Sequence, residues 1–263
     1  MVTFTNSLVY LISLTVKVLF EKLVVLTDSI RINMLSKSFI NIISRQNYAH
    51  NLDWCGAQIY QTPTDLFLYQ QLIFRSRPNV IVETGVAKGG SILFACQMLD
   101  LLNRGFAESN WKVICCDINS LDDAKTVIAK HGYSERVIFF NGDSSGSGFL
   151  SQVQESLKSL NEPRVLVSLD SNHTEEHVYR ELMSLAGLVS KGSYAIVWDS
   201  RIGDLSRITH FLRQRAWSKG RHAGTGAVKY MKSIGVKNGF VYDSTLENAL
   251  KITGVKRGVL FKP

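Results

Sequence analysis

Five short apolar runs, each leading to a carboxylate, set the tightest limit on how this chain can fold. Residues 80–82 end at Glu83 and 112–116 at Asp117; 137–141 lead to Asp143, 165–169 end at Asp170, and 194–197 lead through Trp198 to Asp199. Runs this short and this apolar are strands covered on both faces. Between them lie segments of helical length and period, over 91–102, 121–131, 149–160 and from Glu175 to about 190. Strand–helix alternation of this kind predicts a parallel sheet wound by right-handed crossovers, with helices on both faces. Ligands of such sheets sit beyond the carboxyl ends of the strands. Five acids on that one edge are more than solubility requires, and their convergence is the main pointer to function.

The turn after the first of these strands, Gly-Val-Ala-Lys-Gly-Gly over 85–90, leads into a helix opened by Ser91. Glycines let backbone approach a ligand closely, and a helix start offers unpaired N–H groups. No Gly-Lys-Ser/Thr closes the turn, so it is not a P-loop, and Ala87 breaks the dinucleotide Gly-x-Gly-x-x-Gly pattern. An acid at the strand end beside a glycine turn suits S-adenosylmethionine, whose amino-acid end carries a cation. Glu83, Gly85, Lys88, Gly89, Gly90 and Ser91 are therefore cofactor-binding candidates. The same residues would also serve an ordinary strand–turn–helix.

Asp117 stands where a Rossmann-type sheet grips a ribose, or else caps the next helix. Asp143 and Ser144 lie in a small polar turn that can reach an adenine amino group, or form a simple Asx-turn. Asn172 with Glu175 reads as an N-cap and its capping-box partner. Thr64 is the expected N-cap of an earlier helix carrying Leu66, Tyr69, Leu72 and Ile73 on one face. The fold class is α/β: a Rossmann-like, doubly wound, mostly parallel sheet, plus an N-terminal apolar helical extension. Domain limits are expected at 1–50 and 51–263. Final strands are expected at 240–243 and 258–261, the last antiparallel, after a helix over 204–217, a basic mobile lid over 213–226 and a short helix over 227–234.

Residues 8–26 are apolar, interrupted by Lys17, Glu21 and Lys22. They lack the basic start and cleavage site of a signal peptide and barely reach a spanning length. The segment is expected to pack on the domain or in a homo-oligomer, with membrane-surface contact as the second choice. Residues 201–263 hold 13 Lys/Arg against three acids. That excess suits an anionic partner or a solvated face. Nucleic acid is not expected, because the basic stretch lacks interleaved aromatic platforms. Four cysteines without a Cys-x-x-Cys pair form neither a disulfide framework nor a zinc site, and point to a cytoplasmic protein, peripheral at most to the inner membrane face.

Trp54, Gln61-x-Pro63-x-Asp65, Tyr69-Gln70, Glu83-Thr84-Gly85, Gly89-Gly90-Ser91, Asp117, Gly142-Asp143-Ser144-Ser145, the run from Leu169 to Thr174, and Gly192-Ser193-Tyr194 occur here in order. Together they resemble the cephalosporin hydroxylase / rhamnosyl O-methyltransferase family of class I S-adenosylmethionine-dependent enzymes, from about Trp54 to the C-terminus. The resemblance implies S-adenosylmethionine as methyl donor and O-methylation of a sugar, glycolipid or related hydroxyl. It also implies magnesium held by acids after the fourth and fifth strands, here Asp170 and Asp199. Trp198 stands where the family has a second acid. Asp170 and Asp199 are assigned to metal or acceptor hydroxyl, and His173 to a base or orienting role. Rival readings are a non-catalytic cofactor-binding module and a zinc hydrolase built on His173, Glu176 and His177.

Overall fold

The computed structural model describes residues 2–104, 110–213, 216–217 and 220–263, without the side chains of 2–13 and 213. It divides into two compact units, residues 1–39 and 40–263. The first is carried by a single helix, α1 (Val2–Arg45), whose last turns belong to the second unit. There Asn41 Oδ1 accepts from Ser206 N at 2.6 Å, and Arg45 Nη1 donates to Thr209 Oγ1 at 3.2 Å. Those bonds place the division ahead of the limit expected near residue 50.

Within the second unit a small hairpin, β1 (Asp53–Trp54) and β2 (Ala57–Gln58), precedes α2 (Pro63–Ser76). Then β3 (Val80–Thr84), α3 (Gly90–Leu102), β4 (Lys112–Asp117), α4 (Asp122–Lys130), β5 (Val137–Asn141) and α5 (Ser147–Lys158) follow in turn. The chain continues with β6 (Val165–Leu169), α6 (Glu175–Leu185), β7 (Ser193–Val197), α7 (Arg207–Arg213) and α8 (Ala223–Tyr230). It ends in β8 (Val241–Tyr242), α9 (Thr245–Leu250) and β9 (Val259–Lys262).

The seven-stranded sheet runs β5-β4-β3-β6-β7-β9-β8, with β9 antiparallel to both neighbours and the first five strands parallel. Strand order reverses between β3 and β6, the switch point at which doubly wound sheets open a crevice. Alternation along each strand splits the core. Ile81, Val113, Cys115, Leu166 and Ile196 face the layer of α2, α3, α4 and α9. Val80, Val82, Ile114, Val167 and Val197 face α5, α6 and α8. Side chains of this size contribute about 1.5–3 kcal/mol each when fully buried, so a one-residue register slip in a central strand is prohibited.

Several local expectations are corrected. Thr62, not Thr64, caps α2: its side chain accepts from Asp65 N, with Pro63 at the first helical position. Thr174, not Asn172, is the N-cap residue of α6, while Asn172 Oδ1 accepts from Thr174 N in an Asx-turn. Of the helix expected over 204–217 the described residues show α7, which starts at Arg207 after a 3-10 turn over Ile202–Asp204, while 214–215 lie outside them. Of the expected lid over 213–226, residues 214–215, 218–219 and the Arg213 side chain lie outside the described residues, and its end is already helix α8. The cysteines are free, Cys55 exposed and the other three buried.

Candidate active site at the sheet switch point

The backbone ladder runs one step past the strands. Gly142 N donates to Asp117 O at 3.0 Å, Gly85 N to Cys116 O at 2.9 Å, Asp170 N to Thr84 O at 2.9 Å, and Trp198 N to Leu169 O at 3.0 Å. These bonds fix the order of Asp117, Gly85, Asp170 and Asp199 along one rim.

On the side of β4 and β5, Asp117 organises the glycine turn. Its Oδ2 accepts from Val86 N at 2.8 Å and Ala87 N at 3.1 Å, and its Oδ1 from Asn119 N at 2.9 Å. Burial works to raise the Asp117 pKa, but these hydrogen bonds outweigh it and hold the carboxyl below its ordinary range. Gly85 and Gly89 both have positive φ. A Cβ on Gly85 would meet the Asp170 carbonyl, one on Gly89 would meet Ala124, and one on Gly90 would meet the Gln58 carbonyl. At these three positions a side chain would therefore collide with neighbouring chain, so the turn needs glycine for packing as well as for conformation. Lys88 is exposed and paired with Asp123. Asp143 is exposed and forms an Asx-turn: its Oδ1 accepts from Ser145 N at 2.9 Å and Ser145 Oγ at 2.8 Å, which lowers its pKa.

Glu83 departs from expectation. It is fully buried, and its Oε2 accepts from Tyr69 OH at 2.9 Å, while Oε1 has no hydrogen-bond partner among the described residues. Burial raises its pKa against the pull of the Ser91, Tyr69 and Ser168 hydroxyls. Side chains alternate across a strand, so Glu83 points with Ile81 into the α2–α3 layer. It supports the rim from below instead of lining it. Trp198 lies in the same layer, edge-on to Tyr69, with Nε1 donating to Ser168 Oγ at 2.8 Å. Ser91 is likewise buried.

On the side of β6 and β7, three expected residues meet. His173 Nε2 lies 3.5 Å from Asp199 Oδ2 and 4.0 Å from Asp170 Oδ1. Gln61 Nε2 donates to Asp170 Oδ2 at 2.6 Å. Burial first, then the charges of Asp199, Glu83 and Asp65, push the Asp170 pKa well above the usual carboxylate range. Asp199 has φ 51°, a left-handed conformation uncommon outside glycine and one that aspartate adopts more readily than most. The C-terminal segment is bonded around this corner: Gly254 N donates to Asp65 Oδ1 at 3.0 Å, Arg201 N to Gly254 O at 3.0 Å, and Lys256 N to Ser200 Oγ at 2.8 Å. Burial raises the Asp65 pKa, opposed by Thr253, Thr62 and Gly254.

The zinc arrangement does not form. His173 precedes α6, and Glu176 is exposed and pairs with Lys229 at 2.7 Å. His177 turns to a separate buried cluster, in which Ser144 Oγ and Ser171 Oγ both donate to Glu181 Oε1 at 2.6 Å and His177 Nε2 lies 3.3 Å from that oxygen. Among the described residues no group of three or more His, Cys, Asp or Glu is arranged to hold a metal.

Gln61, Asp65, Tyr69 and Glu181 were not singled out as site residues. For Glu181 a signal existed: it is an acid on the buried face of α6, among Val178, Leu182 and Leu185. Gln61 and Asp65 stood in the quoted motif, but nothing local ties them to Asp170 or Thr253.

A model of the family described as Rhamnosyl O-methyltransferase/CmcI matches residues 46–262. A rhamnosyl O-methyltransferase of Mycobacterium tuberculosis is 26% identical over 160 residues, 59% of this chain and 61% of that protein. One of Mycobacterium leprae is 25% identical over 149 residues, 57% of this chain and 60% of that protein. The chain thus spans about three fifths of the length of these curated relatives. Among solved structures, a CmcI complex described as Mg-SAM superposes with TM-score 0.54 at 19% identity, covering 81% of this chain and 77% of that one. An apo CmcI structure gives 0.54 at 20% identity, covering 81% and 76%. At that identity the likeness is one of fold.

Proposed function

The chain belongs to the Rhamnosyl O-methyltransferase/CmcI family, and from that membership we propose that it methylates a hydroxyl of a sugar, glycolipid or related small molecule using S-adenosylmethionine. The observation that carries the reading is the meeting of Asp170, His173 and Asp199 at the switch point, one strand away from a glycine turn braced by Asp117. The names of the curated relatives support a sugar acceptor.

The donor supplies an electrophilic methyl group on a positively charged sulfur, which a rim of carboxylates suits. Asp117 keeps the turn in the conformation that presents the start of α3. Ser144 stands at the adenine side, held from behind by Glu181. On the acceptor side an attacking alcohol sheds its proton, and Asp170 Oδ1, left over from the Gln61 bond, is a proton acceptor 4.0 Å from His173 Nε2. His173 orients the hydroxyl or relays the proton. Glu83, buried beneath the rim, acts through its bond from Tyr69.

Asp170 and Asp199 are the residues that would hold magnesium, as hard oxygen donors whose mutual repulsion contributes to the raised Asp170 pKa. Magnesium is commonly bound by one or two carboxylates with waters completing its shell, and bound there it lowers the pKa of an acceptor oxygen. Buried Trp198 leaves the rim one carboxylate short of the family's set, so weak binding is expected. Four free cysteines support a cytoplasmic reading, and among the described residues no helix is long and apolar enough to cross a membrane.

The test uses the full chain. Calorimetry is expected to show S-adenosylmethionine binding that Asp117→Ala weakens at least tenfold. A panel of deoxysugar and glycolipid acceptors is expected to yield a product heavier by one methylene unit. Binding without turnover on any acceptor would favour the non-catalytic module, and absence of binding would reject both readings. Stripping with EDTA and restoring magnesium reads the metal role separately.

A further inference from the structure

Helix α1 begins well before residue 46, where the family match starts, and what it carries there is a repeat. Val16, Leu19, Leu23, Leu26 and Ile30 recur at alternating spacings of three and four, and in the sequence the same spacing extends back through Ile12 and Val9. A 3-4 spacing keeps one seam of a helix facing a partner helix as the two supercoil, each side chain seated between four of its neighbour's. These five side chains are between 55% and 60% exposed. No charged residue interrupts the seam over this length: Lys22 flanks it, and Lys17, Glu21, Asp28 and Arg31 lie off it among exposed apolar residues such as Val18, Phe20, Val24 and Val25.

We propose that α1 pairs with α1 of a second copy of this chain as a parallel coiled coil along Val16, Leu19, Leu23, Leu26 and Ile30. The seam is self-complementary, so the same five positions on two copies satisfy each other. Val16, Leu23 and Ile30 fall at the first core position, two of the three β-branched, and Leu19 and Leu26 at the second, a set close to the combination that favours two parallel strands. Over residues 16–31 three bases, Lys17, Lys22 and Arg31, are interspersed with two acids, Glu21 and Asp28, short of the dense basic face that draws an amphipathic helix onto anionic lipid. Among the described residues no helix is long and apolar enough to cross a membrane. The seam is carried wholly by the first compact unit, so the second brings its own core to the pairing.

The experiment is cysteine cross-linking with sedimentation of the full chain. In a Cys55→Ser background, which removes the exposed thiol, Leu26→Cys is expected to form a disulfide dimer under mild oxidation. Val25→Cys, one position off the seam and 65% exposed, is expected to remain monomeric on a denaturing gel. Leu23→Lys is expected to shift the sedimenting species from dimer to monomer at micromolar concentration and leave the melting of the second unit unchanged. Equal cross-linking from positions 25 and 26, or a monomeric parent chain, would overturn the proposal. So would association seen only with phosphatidylcholine–phosphatidylglycerol vesicles, which would make α1 a lipid-binding element instead.

Discussion

Gln61 Nε2 donates to Asp170 Oδ2 at 2.6 Å, joining positions 109 residues apart, so the loop ahead of α2 sets the orientation of the acid that ends the β6 ladder. One carboxylate oxygen is thereby held in place, and the other faces His173.

Gln61→Ala removes a hydrogen bond to an ionisable group, worth about 1.5–3 kcal/mol. If Asp170 takes the acceptor proton, kcat/KM is expected to fall about ten- to a hundredfold, since each 1.36 kcal/mol is a factor of ten. Gln61 opposes the upward push on the Asp170 pKa. The acidic limb of the rate profile is therefore expected to move to higher pH. Unchanged kinetics and an unmoved limb would rule out this role.

Asp170→Asn separates stability from activity. The folded-state pKa of Asp170 lies above its ordinary value of 3.8. Its contribution to stability is therefore full below that ordinary value and is lost as pH rises through the raised one. Asparagine does not ionise. At pH 8 the variant is expected to melt higher by about 2–4 °C, the shift that one kcal/mol makes in a domain of this size. At pH 4 the gap is expected to narrow, and methyl transfer is expected to be lost throughout. Thermal unfolding across pH reads both ends.

Tyr69→Phe leaves Glu83 Oε2 without its donor, beside an Oε1 that has no partner among the described residues. A buried acceptor stripped of its partner costs about 1–3 kcal/mol. Glu83→Gln is expected to cost less, because it avoids burying a charge. The double variant is expected to fall short of the sum. A urea-unfolding cycle measures that coupling, and strict additivity would mean that the two side chains do not support each other.

Gly85→Ala drives a methyl group into the Asp170 carbonyl at a residue with φ +82°. Left-handed strain alone costs about 1–3 kcal/mol, and the clash displaces the start of the Asp170–His173 turn. Both melting temperature and S-adenosylmethionine affinity are expected to drop. Gly187→Ala meets nothing within 4 Å and is the matched control, expected to change stability by less than about 0.5 kcal/mol.

The parallel strands were legible because each is a short apolar run with its own punctuation, and burial on both faces leaves little choice of residue. Helix ends were less so. Thr62 and Thr64 flank the same proline, and only the helix direction settles which hydroxyl meets a free N–H. For the rim, Asp170, His173 and Asp199 could be named in advance because strand ends converge by topology. Glu83 misled because an acid in the last strand positions reads the same whether it turns up to the rim or down to Tyr69.

The sequence by itself determined the wound sheet, the edge where its acids gather, and the order of those acids, since all three follow from apolar period and strand order. Only the tertiary structure decided which acids line that edge and which lie beneath it, and which distant side chains hold them. Gln61 on Asp170, Asp117 on the glycine turn, and Ser144 on Glu181 are contacts between segments far apart in the chain. A hydrogen bond depends on position to within a few tenths of an ångström, and that precision exists only after the layers have packed.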